Sequence, residues 1–289
     1  MAAGRGDRVS DFTLEYLLPP PELSELATFF YEFRTFVDGC EEVDRATNAQ
    51  LRFTLKGQTS IQFGDGPITL LPRIYVLGQT TERVTLFSHG LVEVIGIGIL
   101  PTGWAALVPI DAALAINQVI DAEALFGGGL AEAWQQMLSL ASFAPRSAVF
   151  AALLQRLKHD VDPFAREFIQ AVDRWLAASL SPDLADLAAA TQLSASQVDR
   201  NCKRFFGLPP KMLARKYRAL RAAVQLAKGQ TELGDLVDQG FSDQSHLIRE
   251  IKHFTGLTPK RFQEDAGELA KLTFQRTNFP GLSNLISGI

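Results

Sequence analysis

An internal repeat constrains this chain more than any other feature. Shifted by 49 residues, Arg200 falls on Arg249, Lys203 on Lys252 and Phe205 on Phe254. Gly207-Leu208 falls on Gly256-Leu257, Pro210-Lys211 on Pro259-Lys260, Ser196 on Ser245 and Val198 on Leu247. The copies read SASQVDRNCKRFFGLPPK and DQSHLIREIKHFTGLTPK. Such self-similarity marks one supersecondary unit used twice. In each copy a polar cap opens a helix: Ser194 in the first, Asp243 (with Ser242 beside it) in the second. Gly then ends the helix where left-handed backbone is cheap, and Pro follows. A shorter helix precedes each copy, LADLAAATQ (184–192) and LGDLVDQG (233–240). The unit is therefore short helix, turn, cap, longer helix, the outline of a helix-turn-helix whose second helix enters the major groove of DNA. MLARKYRALRAAVQLAK (212–228) is a basic helix that would hold the two units at a set separation.

The remaining chain is long enough for two domains and a sizeable core. Of its 289 residues, 47% are hydrophobic and 21% charged, which is globular composition. Two cysteines, Cys40 and Cys202, are too few for a disulfide framework or a structural zinc site. The four histidines are scattered, so no metal or other cofactor is expected. MAAGRGDRVSDFT lacks the apolar core of a secretory signal, and no apolar run reaches membrane-spanning length, so a cytoplasmic location away from membranes is expected. There is no Gly-x-Ser-x-Gly, no phosphate loop and no paired Cys-His context, so the chain is read as no enzyme. The net charge of −4 is uneven: residues 180–265 hold 13 Lys and Arg against 10 Asp and Glu, whereas residues 1–179 hold 13 against 21. A basic segment on an acidic body suits a polyanion partner, although many inert domains share so small an excess.

From 12 to about 108 the chain reads mostly as β-structure. LRFTL (51–55), SIQF (60–63), ITLLP (68–72), RIYVLG (73–78), RVTLF (83–87) and LVEVIGIGIL (91–100) are short runs punctuated by Gly, Pro, Asp and Ser. Phe63-Gly64-Asp65-Gly66 reads as a hairpin turn. PELSELATFFYEF (21–33) fits a helix. The pattern predicts a small barrel or sandwich. Beyond 110 the period becomes 3.6. It predicts helices over 111–120, 130–141, 147–160 and 163–180, the last capped by Asp162 with Pro163 in its first turn. Leu153, Leu154, Leu157 and Val161 form an apolar stripe that fits either internal packing or a dimer contact. The fold class is α+β: a small β-barrel or cupin-like domain (1–110), a helical middle and candidate dimerisation region (111–180), an all-α double helix-turn-helix domain (181–265) and a tail (266–289).

GFSDQSHLIREIKHFTGLTPKRF, with the copy at 194–211, the linker helix and the spacing, resembles the AraC-type (AraC/XylS) double helix-turn-helix domain over about 181–265. The front of the chain, from LPRIYVLGQTTERVTLFSHGLVEVIGIGILPTGWAAL to VIDAEALFG, is similar to one uncharacterised subgroup of the β-rich sensor domains joined to such modules. The resemblance implies a sequence-specific transcription regulator, with activation among the family's modes. Its partner is promoter DNA. RNA polymerase, an unknown small-molecule effector and a second copy of the chain are further candidate partners. By the same resemblance, Ser196, Gln197, Asp199 and Arg200 face the groove from the first reading helix, and Gln244, Ser245, His246 and Arg249 from the second. Arg can pair bidentately with guanine and Gln with adenine. Lys203, Arg204, Lys211, Lys252, Lys260 and Arg261 are placed for phosphate, supplying affinity and salt dependence. For all of these the bland alternative is a solvated helix face.

Three departures bear on the second function class, a ligand-binding or interaction module with degenerate DNA binding. Asp199 stands where the second copy has Ile248. Gln192 stands where it has Gly240. The second scaffold helix is one residue short before its turn, with Val237 in place of a small Ala. In the β-region, Arg52, Phe53, Phe63, Gln62, Tyr75, Gln79 and Trp104 are candidate lining residues of a ligand cavity, each with core or turn packing as its alternative. The tail after 265 is apolar enough to dock on the β-domain, join a dimer or fray.

Overall fold

A computed structural model describes residues 12–36, 39, 41–229, 231–238 and 240–264; the 266–289 tail lies outside them. Eight strands form one antiparallel sheet: β1 (Phe12–Leu17), β2 (Ala27–Thr35), β3 (Glu41–Asp44), β4 (Gln50–Phe63), β5 (Ile68–Leu70), β6 (Ile74–Leu77), β7 (Val84–Ile99) and β8 (Val119–Asp121). The order is β1-β2-β7-β4-β6-β8, with β3 added to β7 and β5 to β4. The runs 51–55 and 60–63 are one strand, as are 83–87 and 91–100. They bend where Gly57 and Gly90 take positive φ, and the β4–β7 register shifts beside Gly57. A Cβ on Gly57 would sit 2.5 Å from the Leu91 carbonyl oxygen, so only glycine lets the strands cross there. The bend folds the β4–β7 pair over itself and gives the sheet an inside.

Alternation then sorts the side chains. Leu51, Phe53, Ile74, Val76, Ile95, Ile97 and Ile99 point to the outer, helix-covered face. Gln50, Arg52, Tyr75 and Val94 point inward with Tyr31. The outer face is sealed by α1 (Pro101–Leu107), α2 (Ala122–Phe126), α3 (Gly129–Leu138) and α4 (Phe143–Leu157). Phe150 lies edge-on between Phe30 and Phe53. Leu153 and Leu154 are buried in this core with Leu157 and Val161 packed on it, so the apolar stripe is internal packing.

Two expected helices are not helices. Residues 21–33 make a single 3₁₀ turn, Pro21–Leu23, and then β2. The first six residues of β2 are buried, Phe30 outward and Phe29 and Tyr31 inward, so polar alternation appears only late, at Glu32 and Arg34. Residues 111–120 make a 3₁₀ turn, Ala112–Ala115, and then β8. The break falls at Asn117, whose φ is +50° and whose side chain exchanges hydrogen bonds with the Thr81 backbone N–H and hydroxyl.

The C-terminal helices are α5 (Pro163–Ala178), α6 (Leu184–Thr191), α7 (Ala195–Phe206), α8 (Pro210–Ala227), α9 (Leu233–Val237), α10 (Gln244–Thr255) and α11 (Pro259–Glu264). They build two small cores along one rod. Leu213 and Tyr217 of α8 join α5, α6 and α7 in the first. Ala222, Ala223 and Leu226 of α8 join α9 and α10 in the second.

Candidate nucleic-acid interface and sensor cavity

Both repeat copies fold as their caps dictate. Ser194 opens α7 in a capping box with Gln197, and Asp243 opens α10 by accepting from the His246 N–H at 2.7 Å. Gly207 and Gly256 end the two helices at φ +77° and +75°. Gln192 closes the first turn in the left-handed region at φ +54°, a conformation with a steric cost that its Gly240 counterpart avoids. The shortness of the second scaffold helix is real: α9 has five residues and α6 has eight.

Val198, Cys202, Phe205, Leu247, Ile251 and Phe254 form the buried faces. Burial, with Asp199 nearby, pushes the Cys202 thiol up to about 12, so it packs as an inert hydrophobe. Ser196, Arg200, Gln244, Ser245 and Arg249 are exposed. Gln197 is exposed too, but its side-chain oxygen accepts from the Ser194 N–H and hydroxyl. His246 is half-buried, its Nδ1 against Ser242 and its ring edge-on to Phe241. Asp199 pairs with Lys203 at 2.7 Å across one turn. Lys211, Lys252, Lys260 and Arg261 are exposed. Arg204 is exposed and lies 3.7 Å from Asp111, beside a crevice lined by Trp104, His159 and Asp162. It thus leans on the middle segment, which sequence spacing could not show.

Glu250 fixes α10 to the rod. It is buried, and Arg215 donates to both its oxygens at 2.5 and 2.7 Å. Burial pushes the Glu250 carboxyl up, but the Arg215 fork outweighs it and holds it below the usual carboxylate range.

The second unit also docks on the β-domain. Lys216 of α8 is fully buried and donates to the carbonyls of Thr47 and Thr80, each at 2.9 Å. Tyr217 bonds the Asn48 side chain at 3.1 Å. Two carbonyls at the end of α10 are satisfied from across the contact: Phe254 O accepts from Ala46 N and His253 O from Arg83 N. Burial, and then the Arg45 charge, hold the Lys216 ammonium well below its ordinary value. The docked state therefore binds fewer protons than the open chain between that lowered value and the ordinary 10.5. Stability rises with pH through that window. Lys216→Met should flatten this rise, read as the difference in Tm against pH between variant and wild type.

Inside the sheet, β1, β2, β3, β4, β6 and β7 line a cavity of about 70 Å³ that opens to solvent. Arg52 and Tyr75 line it. Phe63, Gln79 and Trp104 do not, nor do Phe53 and Gln62. Phe53 and Trp104 face the helix-covered core, Gln62 and Phe63 make the hairpin turn, and Gln79 sits by Asn48 near the docking contact. The polar residues missed from sequence include Tyr31, Asp44 and Gln50. Tyr31 donates to the Gln50 side-chain oxygen, and Arg52 Nε donates to the Tyr31 hydroxyl at 2.6 Å and to Gln50 at 2.9 Å. Tyr31, Gly96, Arg52 and Tyr75 lie in one row across β2, β7, β4 and β6. A Cβ at Gly96 would collide with the Tyr31 phenol, so the missing side chain is what lets Tyr31 reach Arg52. Gly96→Ala should destabilise the β-domain by about 1–3 kcal/mol through overpacking, measurable by denaturant unfolding. The signal in the sequence is the alternation in VIGIGIL, which puts Gly96 on the inner face opposite Tyr31.

Among the described residues, no helix is long and apolar enough to cross a membrane, and no group of three or more His, Cys, Asp or Glu is arranged to hold a metal ion.

A pair of capped, Gly-terminated reading helices on a shared basic rod defines a double helix-turn-helix module. Residues 187–265 match the family model described as helix-turn-helix domain, and this part of the chain is an AraC-type helix-turn-helix domain. Among solved structures, ToxT from Vibrio cholerae is similar at 8% identity with a TM-score of 0.45, over 88% of this chain and 98% of that one. The AraC-like transcriptional activator CuxR is similar at 12% identity and a TM-score of 0.28, over 78% and 91%. A cupin superfamily protein from Desulfitobacterium hafniense is similar at 14% identity and a TM-score of 0.21, over 33% and 83%. Likeness at this level concerns the path of the chain alone. No curated protein matches the sequence.

Proposed function

We propose that this chain is a sequence-specific DNA-binding transcription regulator whose β-domain senses a small molecule. The observation that carries the reading is the exposure of Arg200 and Arg249 at matching positions of two capped helices. Ser196, Gln197, Asp199 and Arg200 in one unit, and Gln244, Ser245, His246 and Arg249 in the other, face base edges. Lys211, Lys252, Lys260 and Arg261 meet phosphate, joined by Lys203 and Arg204 once they leave Asp199 and Asp111. Sensing takes place in residues 1–110, the DNA module is 181–265, and 111–180 joins them. The coupling route is the segment from Asp44 to Gln50: its ends line the cavity, while Ala46, Thr47 and Asn48 hold α8 and α10. An occupant that moves this segment changes how the second unit is held.

A gel-shift series in rising salt on host-genome fragments tests the DNA reading. Between six and ten phosphate contacts weaken binding by roughly 10³–10⁵ from 50 to 200 mM salt. Salt-insensitive or absent binding would leave the chain as a ligand-binding module with a decayed reading face.

A further inference from the structure

The cavity holds two opposite charges that do not meet. Arg52 is 7% exposed, and a guanidinium keeps its proton at any ordinary pH. Its Nε is engaged by Tyr31 and Gln50, and one terminal nitrogen lies 3.5 Å from the Tyr75 hydroxyl. Its other terminal nitrogen makes no hydrogen bond among the described residues, and Arg52 makes no ion pair among them. Asp44, also 7% exposed, lines the same cavity from β3. One of its oxygens accepts from the Arg45 N–H at 2.8 Å, and it too makes no ion pair among the described residues. Its charge is nevertheless felt at Arg52 across the gap. Glu42, half-buried on the same wall, has a partner of its own.

Charges buried this far are normally paired. A ligand with one anionic end would meet Arg52 but bring a third carboxylate beside Asp44 and Glu42. A ligand with only a cationic end would leave Arg52 alone. A dipolar ion satisfies both walls. Thr35, Thr59 and Ser88 add hydroxyls to the lining, but Leu14, Phe29, Phe33, Leu86 and Val94 make an apolar wall that takes a hydrocarbon or aromatic body. We propose that the cavity binds a free α-amino acid with an apolar side chain, its carboxylate on Arg52 and its ammonium toward Asp44. The inference rests on the sensing role proposed above and names its ligand class.

Calorimetry on the full chain without DNA tests it, with L-phenylalanine and L-leucine as probes. 3-Phenylpropanoate, which lacks the ammonium, and phenethylamine, which lacks the carboxylate, serve as controls. The expected result is binding of at least one amino acid, with each single-charge analogue of phenylalanine at least about tenfold weaker. Asp44→Asn should weaken the amino acid about tenfold or more and leave 3-phenylpropanoate unchanged. Arg52→Lys, checked for native circular dichroism, should weaken both carboxylates. Should Arg52→Lys fail to fold, the Asp44→Asn comparison decides alone. Equal or tighter binding of 3-phenylpropanoate would overturn the proposal, as would no binding of either amino acid. Because no DNA is present, such a failure leaves the DNA reading standing for the salt series to judge.

Discussion

Arg249→Ala should lower affinity for the specific DNA site by about 1–3 kcal/mol, roughly 5- to 150-fold, while binding to random duplex falls far less. The contrast follows from what each contact reads. A bidentate guanidinium on guanine discriminates between bases, whereas a phosphate contact weakens all sequences alike. Arg249 is exposed on the second reading helix and makes no ion pair among the described residues, so its removal leaves the packing intact. Lys252→Ala is the control: it should lower specific and random binding together and reduce the salt slope by about one. Competition gel shifts with cognate and scrambled duplex read both variants. Equal losses for Arg249→Ala on the two duplexes would reject base reading by that residue.

Phe254→Ala should be the most damaging single change in the second unit, at about 3–5 kcal/mol. The ring is fully buried and packs with Ala46, Ala219 and Leu220, where the second unit, the rod and the β-domain meet. The Arg215 guanidinium lies 5.6 Å from its centroid while holding Glu250. Truncation leaves a cavity that Ala46 and Ala219 are too short to fill. The expected outcome is a lowered thermal midpoint together with faster proteolysis in residues 44–48. Its repeat partner sets the comparison. Phe205→Ala should cost a similar amount, since that ring is 5% exposed and tilts against Phe168. It should disturb the 44–48 segment less, because Ala46 packs with Phe254, whereas the first core meets the segment through the Tyr217 hydroxyl on Asn48. Equal protection of 44–48 in wild type and Phe254→Ala would contradict the docking role given to this ring.

The reading helices were legible in the sequence because their determinants are local. Ser194, Asp243, Gly207 and Gly256 each act within one turn of the helix they begin or end, so spacing alone places them. The strands around Gly57 and Gly90 were legible in kind but not in length, since a bend with positive φ interrupts the pattern without ending the strand. Residues 21–33 and 111–120 misled for opposite reasons. The first is buried on both faces through Glu32, so its polar alternation appears only late; the second has helix-favouring alanines that Asn117 overrides through a contact 36 residues away. The cavity was half legible. Arg52 and Tyr75 were within reach as polar residues in apolar strands. Tyr31 and Asp44 depended on strand register, which no single segment encodes. The docking of Lys216 on Thr47 and Thr80 was invisible for the same reason: its partners are backbone carbonyls more than a hundred residues distant.

Regulation by this chain requires two reading helices to engage one duplex, and hydroxyl-radical footprinting on a selected genomic site measures this most directly. The predicted result is two protected patches on one face of the DNA, about 10–10.5 base pairs apart, with Arg200→Ala weakening one and Arg249→Ala the other. A single patch indifferent to either substitution, or protection without any preferred position, would contradict it.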